Sequence, residues 1–200
     1  MAGIILCGGK SRRMGRAKAT LPFGPESMLA RVVRLLGEAA DTIVVVAASG
    51  QQLPDLGGEV LLVRDRHEDR GPLEGLAVGL AAVGRRAGAT FVTGCDVPLL
   101  APAFVRRMGE LSAGYDVAVP QIDGRDQPLA AVYHTGVLPL AESLLAAGHR
   151  RPADLFERVR TRRVAAEELA DVDPELQSLA NVNTTADYRA ALAKAGLAGP

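Results

Sequence analysis

The chain reads as an α/β protein, a three-layer sandwich in which a mainly parallel sheet is covered by helices on both faces. Three observations predict it. Continuous apolar runs such as Ala2-Gly3-Ile4-Ile5-Leu6 and Thr42-Ile43-Val44-Val45-Val46-Ala47-Ala48 lack the alternation of a half-solvated strand, so both of their faces must be covered. Stretches with helical spacing separate these runs, the pattern of strand-helix-strand units. At 200 residues with 48% hydrophobic side chains, the chain suffices for one domain burying roughly 70% of its unfolded surface.

Residues 2–6 form the first buried strand. Residues 27–38 have helical spacing, with Met28, Val32 and Leu35 on one face. Residues 42–48 and 60–63 are the second and third strands. Pro72 opens a helix to about Arg86, because a first-turn proline loses no hydrogen bond. Residues 89–93 form the fourth strand and 101–111 a helix. Strands at 116–119 and 129–134 follow, then a helix over 135–147, a short helix over 153–159, a strand at 162–165 and a last helix over 185–195. Residues 198–200 read as a frayed tail.

Basic and acidic residues balance at 23 each, so no global basic field favours nucleic acid. No apolar stretch has membrane-spanning length, and the chain enters a strand without the regions of a secretion signal. A soluble cytoplasmic protein, with neither nucleic acid nor membrane as partner, is the expectation. Cys7 and Cys95 are too few for a disulfide framework or a cysteine-rich metal site, and are expected as reduced core residues. His67, His134 and His149 lack metal-ligand spacing, and no nucleophile has an evident histidine partner, so covalent catalysis is not indicated.

The segment Leu6-Cys7-Gly8-Gly9-Lys10-Ser11-Arg12-Arg13-Met14-Gly15-Arg16-Ala17-Lys18 directly follows the first strand and reads as a phosphate-cradling loop. Adjacent glycines let a ligand approach main-chain N–H groups, and the lysines and arginines supply charge where a triphosphate would lie. Its spacing is neither that of a Walker A loop, which would need glycine at Ile4, nor that of the dinucleotide fingerprint G-x-G-x-x-G. Twenty of the 23 basic residues are arginine, yet Lys10 and Lys18 both fall here. A lysine in this setting suits a compact point charge on a flexible stem; an exposed loop residue is the competing reading.

In parallel sheets ligands bind beyond the carboxyl ends of the strands. The glycine loop, Ala47-Ala48-Ser49-Gly50, Arg64-Asp65 and Cys95-Asp96 each follow a predicted strand. Asp96, followed by Val97-Pro98, whose proline keeps Val97 extended and delays the next helix, suits Mg²⁺, which takes one or two protein carboxylates and fills its shell with phosphate oxygens and water. The competing role, capping the helix near Ala101, is weakened by the gap between them. Asp65 can accept two N–H bonds from a base edge or a ribose hydroxyl, whereas residues 66–69 read as a solvated charge run. Gly148-His149-Arg150-Arg151 offers either a second phosphate site or a cationic helix end. In Asn181-Val182-Asn183-Thr184, Asn183 or Thr184 caps the last helix, leaving the other asparagine free for a ligand or metal-bound water.

Together with Gly71-Pro72-Leu73-Glu74-Gly75, these motifs resemble the GT-A-like nucleotidyltransferases with a Rossmann-like sheet, and among them the molybdenum cofactor guanylyltransferases, over nearly the whole chain. The resemblance implies Mg²⁺-dependent transfer of GMP from GTP to the terminal phosphate of molybdopterin. It implies that Leu6, Cys7, Gly8 and Gly9 line the nucleotide, that Lys18 and Arg13 act on the triphosphate, that Asp65 contacts the nucleoside and that Asp96 holds Mg²⁺. Arg150, Arg151, Asn181 and Asn183 would meet the pterin acceptor, so residues 1–100 would serve the nucleotide and 101–196 the acceptor. Transient contact with molybdenum cofactor biosynthesis proteins or recipient molybdoenzymes would follow. Cys7 replaces a usual alanine, and Ala47 stands where the family often has asparagine. CMP transfer, transfer to a sugar phosphate and a non-catalytic nucleotide sensor are the alternatives.

Overall fold

The computed structural model describes residues 1–7, 17–65 and 70–197. β1 (Ala2–Leu6) leads through residues 17–21 to a small hairpin of β2 (Pro22–Phe23) and β3 (Glu26–Ser27), then to α1 (Met28–Gly37) and β4 (Thr42–Ala47). β5 (Val60–Arg64), α2 (Pro72–Val83), β6 (Ala89–Gly94) and α3 (Pro102–Leu111) follow. The second half contains β7 (Val117–Ile122), β8 (Arg125–Asp126), β9 (Ala130–His134), α4 (Leu138–Ala146), β10 (Thr161–Ala165) and α5 (Thr185–Lys194).

Among the described residues the main sheet has eight strands, in the order β10-β7-β9-β6-β1-β4-β5, with β8 paired to β7. β1 lies parallel between β4 and β6, β5 continues the parallel set, and β10 is parallel to β7. β9 is antiparallel to both β6 and β7. The reason is local: Asp123 and Gly124 have φ of 50° and 72°, and close a two-residue hairpin between β7 and β8. That leaves no crossover helix between β7 and β9, which a parallel pairing would need.

Successive residues of the central strands feed opposite faces. Ile5, Val45 and Phe91 pack with α1 and α3, whereas Ile4, Leu6, Val44, Val46 and Val92 pack with α2 and α4. Helices therefore cover both faces, as the continuous apolar runs require. α2 sits very close to β1, since a Cβ at Gly79 would stand 2.8 Å from Ile4. A third cluster joins α5 to the small hairpin through Phe23, Met28, Tyr188 and Leu192.

The helix boundaries fall within three residues of the expected ones for α1, α2, α3 and α5. Ser27 caps α1 by accepting from Ala30 N–H at 3.2 Å. α2 stops at Val83, because Gly84 turns to φ +54° and begins a separate 3₁₀ turn. The expected helix over 135–147 is a 3₁₀ turn, Thr135–Val137, followed by α4, where Pro139 occupies the first helical turn. The expected helix over 153–159 is reduced to a 3₁₀ turn, Pro152–Leu155.

Candidate active site

Because β1, β4, β5 and β6 are parallel, their carboxyl ends share one edge of the sheet. Hydrogen bonding continues a residue past each strand: Cys7 N–H donates to Val46 C=O (2.8 Å), Asp65 N–H to Ala47 C=O (2.9 Å) and Cys95 N–H to Leu6 C=O (3.2 Å). The backbones of Leu6, Cys7, Asp65 and Cys95 are thereby fixed at one rim, with Asp96 next in line.

The Asp96 carboxylate is about one-fifth exposed and has two distinct surroundings. Oδ1 lies against Gly94, where a Cβ would stand 2.5 Å away, so glycine is what lets the carboxylate fold back over the strand tip. Oδ2 accepts from Lys18 Nζ at 2.8 Å. The same ammonium donates to Asn183 Oδ1 at 2.7 Å. Asp96 C=O accepts from Val182 N–H at 2.8 Å, which ties the late segment to the β6 tip through the main chain as well.

Thr184, not Asn183, caps the last helix. Its Oγ1 accepts from Asp187 N–H (3.1 Å), while Asp187 Oδ2 accepts from the N–H groups of Asn183 (3.0 Å) and Thr184 (2.8 Å). Those backbone bonds hold the Asp187 carboxyl below the ordinary carboxylate range. The Asn183 side chain is left to meet Lys18. Lys18 itself opens a 3₁₀ turn closed by Leu21 N–H on Lys18 C=O at 3.1 Å.

Asp65 is the other carboxylate of the rim. Its Oδ1 is buried and has no hydrogen-bond partner among the described residues. Burial, and secondly the charge of Glu74, pushes its carboxyl above the ordinary aspartate range. A buried acceptor lacking a partner is a costly feature that a ligand N–H or hydroxyl would relieve. Cys7 and Cys95 are both free and buried. The Cys7 thiol is pushed far up, first by its hydrogen bond with Cys95 and then by burial, so it stays protonated and poorly nucleophilic.

Arg150 is anchored by its main chain at the start of α2, the helix whose Gly75 lies against Asp65. Arg150 C=O accepts from Leu73 N–H (3.1 Å) in the first turn of α2, and Arg151 Nη2 pairs with Asp154 Oδ1 (3.2 Å) while remaining largely exposed. Asn181 instead lines an open cleft of about 200 Å³, with Val97, Gln127, Leu129 and Leu179 among the other lining residues. Its walls are braced by Tyr133 OH, which donates to Pro128 C=O (2.9 Å), and by buried Asp173, which accepts from Gln177 N–H (2.9 Å) and Ser178 N–H (2.8 Å). Sequence reasoning passed over Gln127 and Asp173, although Asp123-Gly124 carries the hairpin signal that places the first of them. Gly8, Gly9 and Arg13 lie outside the described residues.

Among the described residues no group of three or more His, Cys, Asp or Glu side chains could hold a metal. A single carboxylate with an ammonium already against one oxygen fits a Mg²⁺ that arrives with triphosphate oxygens, for which one or two protein carboxylates suffice.

The family model described as the MobA-like NTP transferase domain matches residues 3–164. Probable molybdenum cofactor guanylyltransferases from Mycobacterium avium and Pelotomaculum thermopropionicum are 40% and 37% identical to this chain. The first alignment covers 95% of this chain and 94% of the relative, the second 92% and 88%. Among solved structures, molybdopterin-guanine dinucleotide biosynthesis protein A from Archaeoglobus fulgidus superposes with a TM-score of 0.82 at 25% identity, over 98% of this chain and 99% of that one. The 2-C-methyl-D-erythritol 4-phosphate cytidylyltransferase of Thermus thermophilus shares the fold at a TM-score of 0.71 and 16% identity, over 98% of each chain. With a strand-tip carboxylate, a lysine bonded to it and a family match across the whole sheet, this chain belongs to the MobA-like NTP transferase family and is a nucleotidyltransferase.

Proposed function

We propose that the protein transfers GMP from GTP to the terminal phosphate of molybdopterin, releasing pyrophosphate and forming the guanine dinucleotide cofactor. The observation that carries this reading is the Lys18–Asp96 pair at the shared carboxyl edge of β1 and β6, with relatives of the stated identity named as guanylyltransferases. An acceptor phosphate oxygen attacks the α-phosphorus in line; one P–O bond forms to the acceptor as the bond to pyrophosphate breaks. Such chemistry asks the protein for positioning and charge stabilisation more than for covalent help. Mg²⁺ held by Asp96 would neutralise charge on the phosphates. Lys18 and Arg13 hold the triphosphate, main-chain groups of Leu6, Cys7, Gly8 and Gly9 flank the nucleoside, and Asp65 accepts from a ribose hydroxyl or base N–H. Asn181 and the cleft beside it receive the acceptor, and Arg150 and Arg151 meet a further phosphate. Handover to recipient molybdoenzymes by transient contact in the cytoplasm completes the reading.

Cytidylyl transfer is the second reading, because the resemblance leads to asparagine at the end of β4, where this chain has Ala47, with no side-chain hydrogen bond to offer a base. Pyrophosphate release, measured with GTP, CTP, ATP and UTP against molybdopterin and against sugar phosphates, separates the two. GTP with molybdopterin is the expected productive pair. A preference for CTP or a sugar acceptor refutes the assignment, and GTP binding with no turnover on any acceptor makes the protein a sensor.

A further inference from the structure

We infer that Asn183 is a positioning residue for the nucleotide half of the reaction, acting through the Lys18 ammonium. This rests on reading Lys18 and Asp96 as the triphosphate site. Asn183 stands 165 positions from Lys18, in the segment that the family resemblance allots to the acceptor, and beyond residue 164 where the family match ends. Its side-chain oxygen nevertheless lies 2.7 Å from Nζ, slightly closer than Asp96 Oδ2 at 2.8 Å.

The chemistry follows from what an ammonium is. Lysine is a point charge with three donors on a flexible stem, so a single carboxylate partner leaves its direction poorly defined. Two acceptors fix two of the three N–H bonds and aim the third. Asp96 and Asn183 are themselves fixed relative to each other, because Val182 N–H donates to Asp96 C=O and the Asn183 N–H is held by Asp187. The Lys18 side chain is only 19% exposed, so its charge is partly desolvated and its hydrogen bonds carry correspondingly more weight. Asn183 is neutral. It orients the cation without cancelling the charge that the triphosphate needs, which a second carboxylate would do.

The inference sets Asn183 apart from a residue that merely touches the acceptor, and two measurements without any acceptor test it. The chain has only three lysines, Lys10, Lys18 and Lys194, so acylation by a hydroxysuccinimide ester can be followed at each by peptide mass spectrometry. In the ligand-free protein, Asn183→Ala should raise Lys18 acylation about tenfold, the worth of one charge-assisted hydrogen bond, with Lys194 unchanged. Calorimetric binding of the magnesium complex of GTP should weaken about tenfold in Asn183→Ala, weaken also in Asn183→Asp, where a second carboxylate offsets the ammonium's charge, and show no further loss when Asn183→Ala is added to Lys18→Met. The cap survives these changes because Asp187 and Thr184 are untouched, and an unchanged melting temperature checks it. Unaltered Lys18 acylation, unaltered triphosphate binding, or an equal loss in the Lys18→Met background overturns the inference. Should the wild-type protein select another nucleoside triphosphate, the guanylyl assignment fails while the same cycle, run with that nucleotide, still decides the role of Asn183.

Discussion

Asp96 and Asn183 hold the same ammonium, yet they are placed by opposite kinds of structure. Asp96 follows β6, whose residues 90–93 are buried and paired on both sides, with β1 and with β9. Asn183 lies in an exposed stretch without helix or strand, between a 3₁₀ turn at Gln177–Leu179 and α5. Periodic ladders fix the first arm. One main-chain bond, Val182 N–H on Asp96 C=O, ties the second to the first, and individual side chains do the rest: Asp173 on two N–H groups, Ser178 Oγ accepting from Ala101 N–H at 2.9 Å, and the Thr184–Asp187 box. The carboxylate arm should therefore tolerate changes around it, while the asparagine arm should depend on single polar residues.

The largest effect tests the carboxylate arm by its chemistry alone. Asp96→Asn is expected to cut pyrophosphate release about 10²–10³-fold while the melting temperature stays within a few degrees, since the sheet does not depend on this side chain. A parallel collapse of stability would show that Asp96 is structural. Next, Asp173→Ala removes a buried carboxylate that accepts two N–H bonds and should cost about 2–3 kcal/mol in denaturant unfolding. It should also raise the acceptor KM, because it braces the cleft wall formed by Ser178 and Leu179; an unchanged acceptor KM would show that the acceptor does not use this cleft. A smaller loss, about 1 kcal/mol, is expected for Thr184→Ala, measured the same way.

The smallest effect is a pH signature. Asp65 has its carboxyl raised by burial, so in the folded protein its ionised form is penalised and this group's contribution to stability falls as pH rises through the folded value. Asp65→Asn should thus raise the melting temperature at pH 7 in the absence of nucleotide. If the ionised carboxylate is what receives the nucleoside, nucleotide affinity should fall on acidification at a pH above the usual aspartate midpoint of about 3.9, and the Asn variant should lose that dependence. A variant that is neither more stable nor weaker in binding would remove Asp65 from the site.

Much of the carboxylate arm was legible from residues alone. Buried apolar runs mark the strands, and residues just past them lie at one edge wherever the strands are parallel, which is how Asp65 and Asp96 came to be singled out. Lys18 stood out as one of three lysines among 23 basic residues. The asparagine arm was legible only as a cap signal, with two residues competing for one role. The Asp123-Gly124 hairpin was present in the sequence as a turn signal, but its consequence, β8 and β9 running antiparallel to β7 in a mainly parallel sheet, needs the strand order to be known.

Sequence by itself determined which faces are buried, and hence an α/β sandwich with helices on both sides, because the period of an apolar pattern is a local property read within a dozen residues. It also showed that a glycine-rich segment and two carboxylates, Asp65 and Asp96, each directly follow a buried strand. Only the tertiary structure decided that Lys18, Asp96 and Asn183 meet at one ammonium, and that Arg150 is attached to α2. Such meetings depend on the order of strands in the sheet and on where a late segment returns to it, and no local period encodes a contact spanning 165 positions.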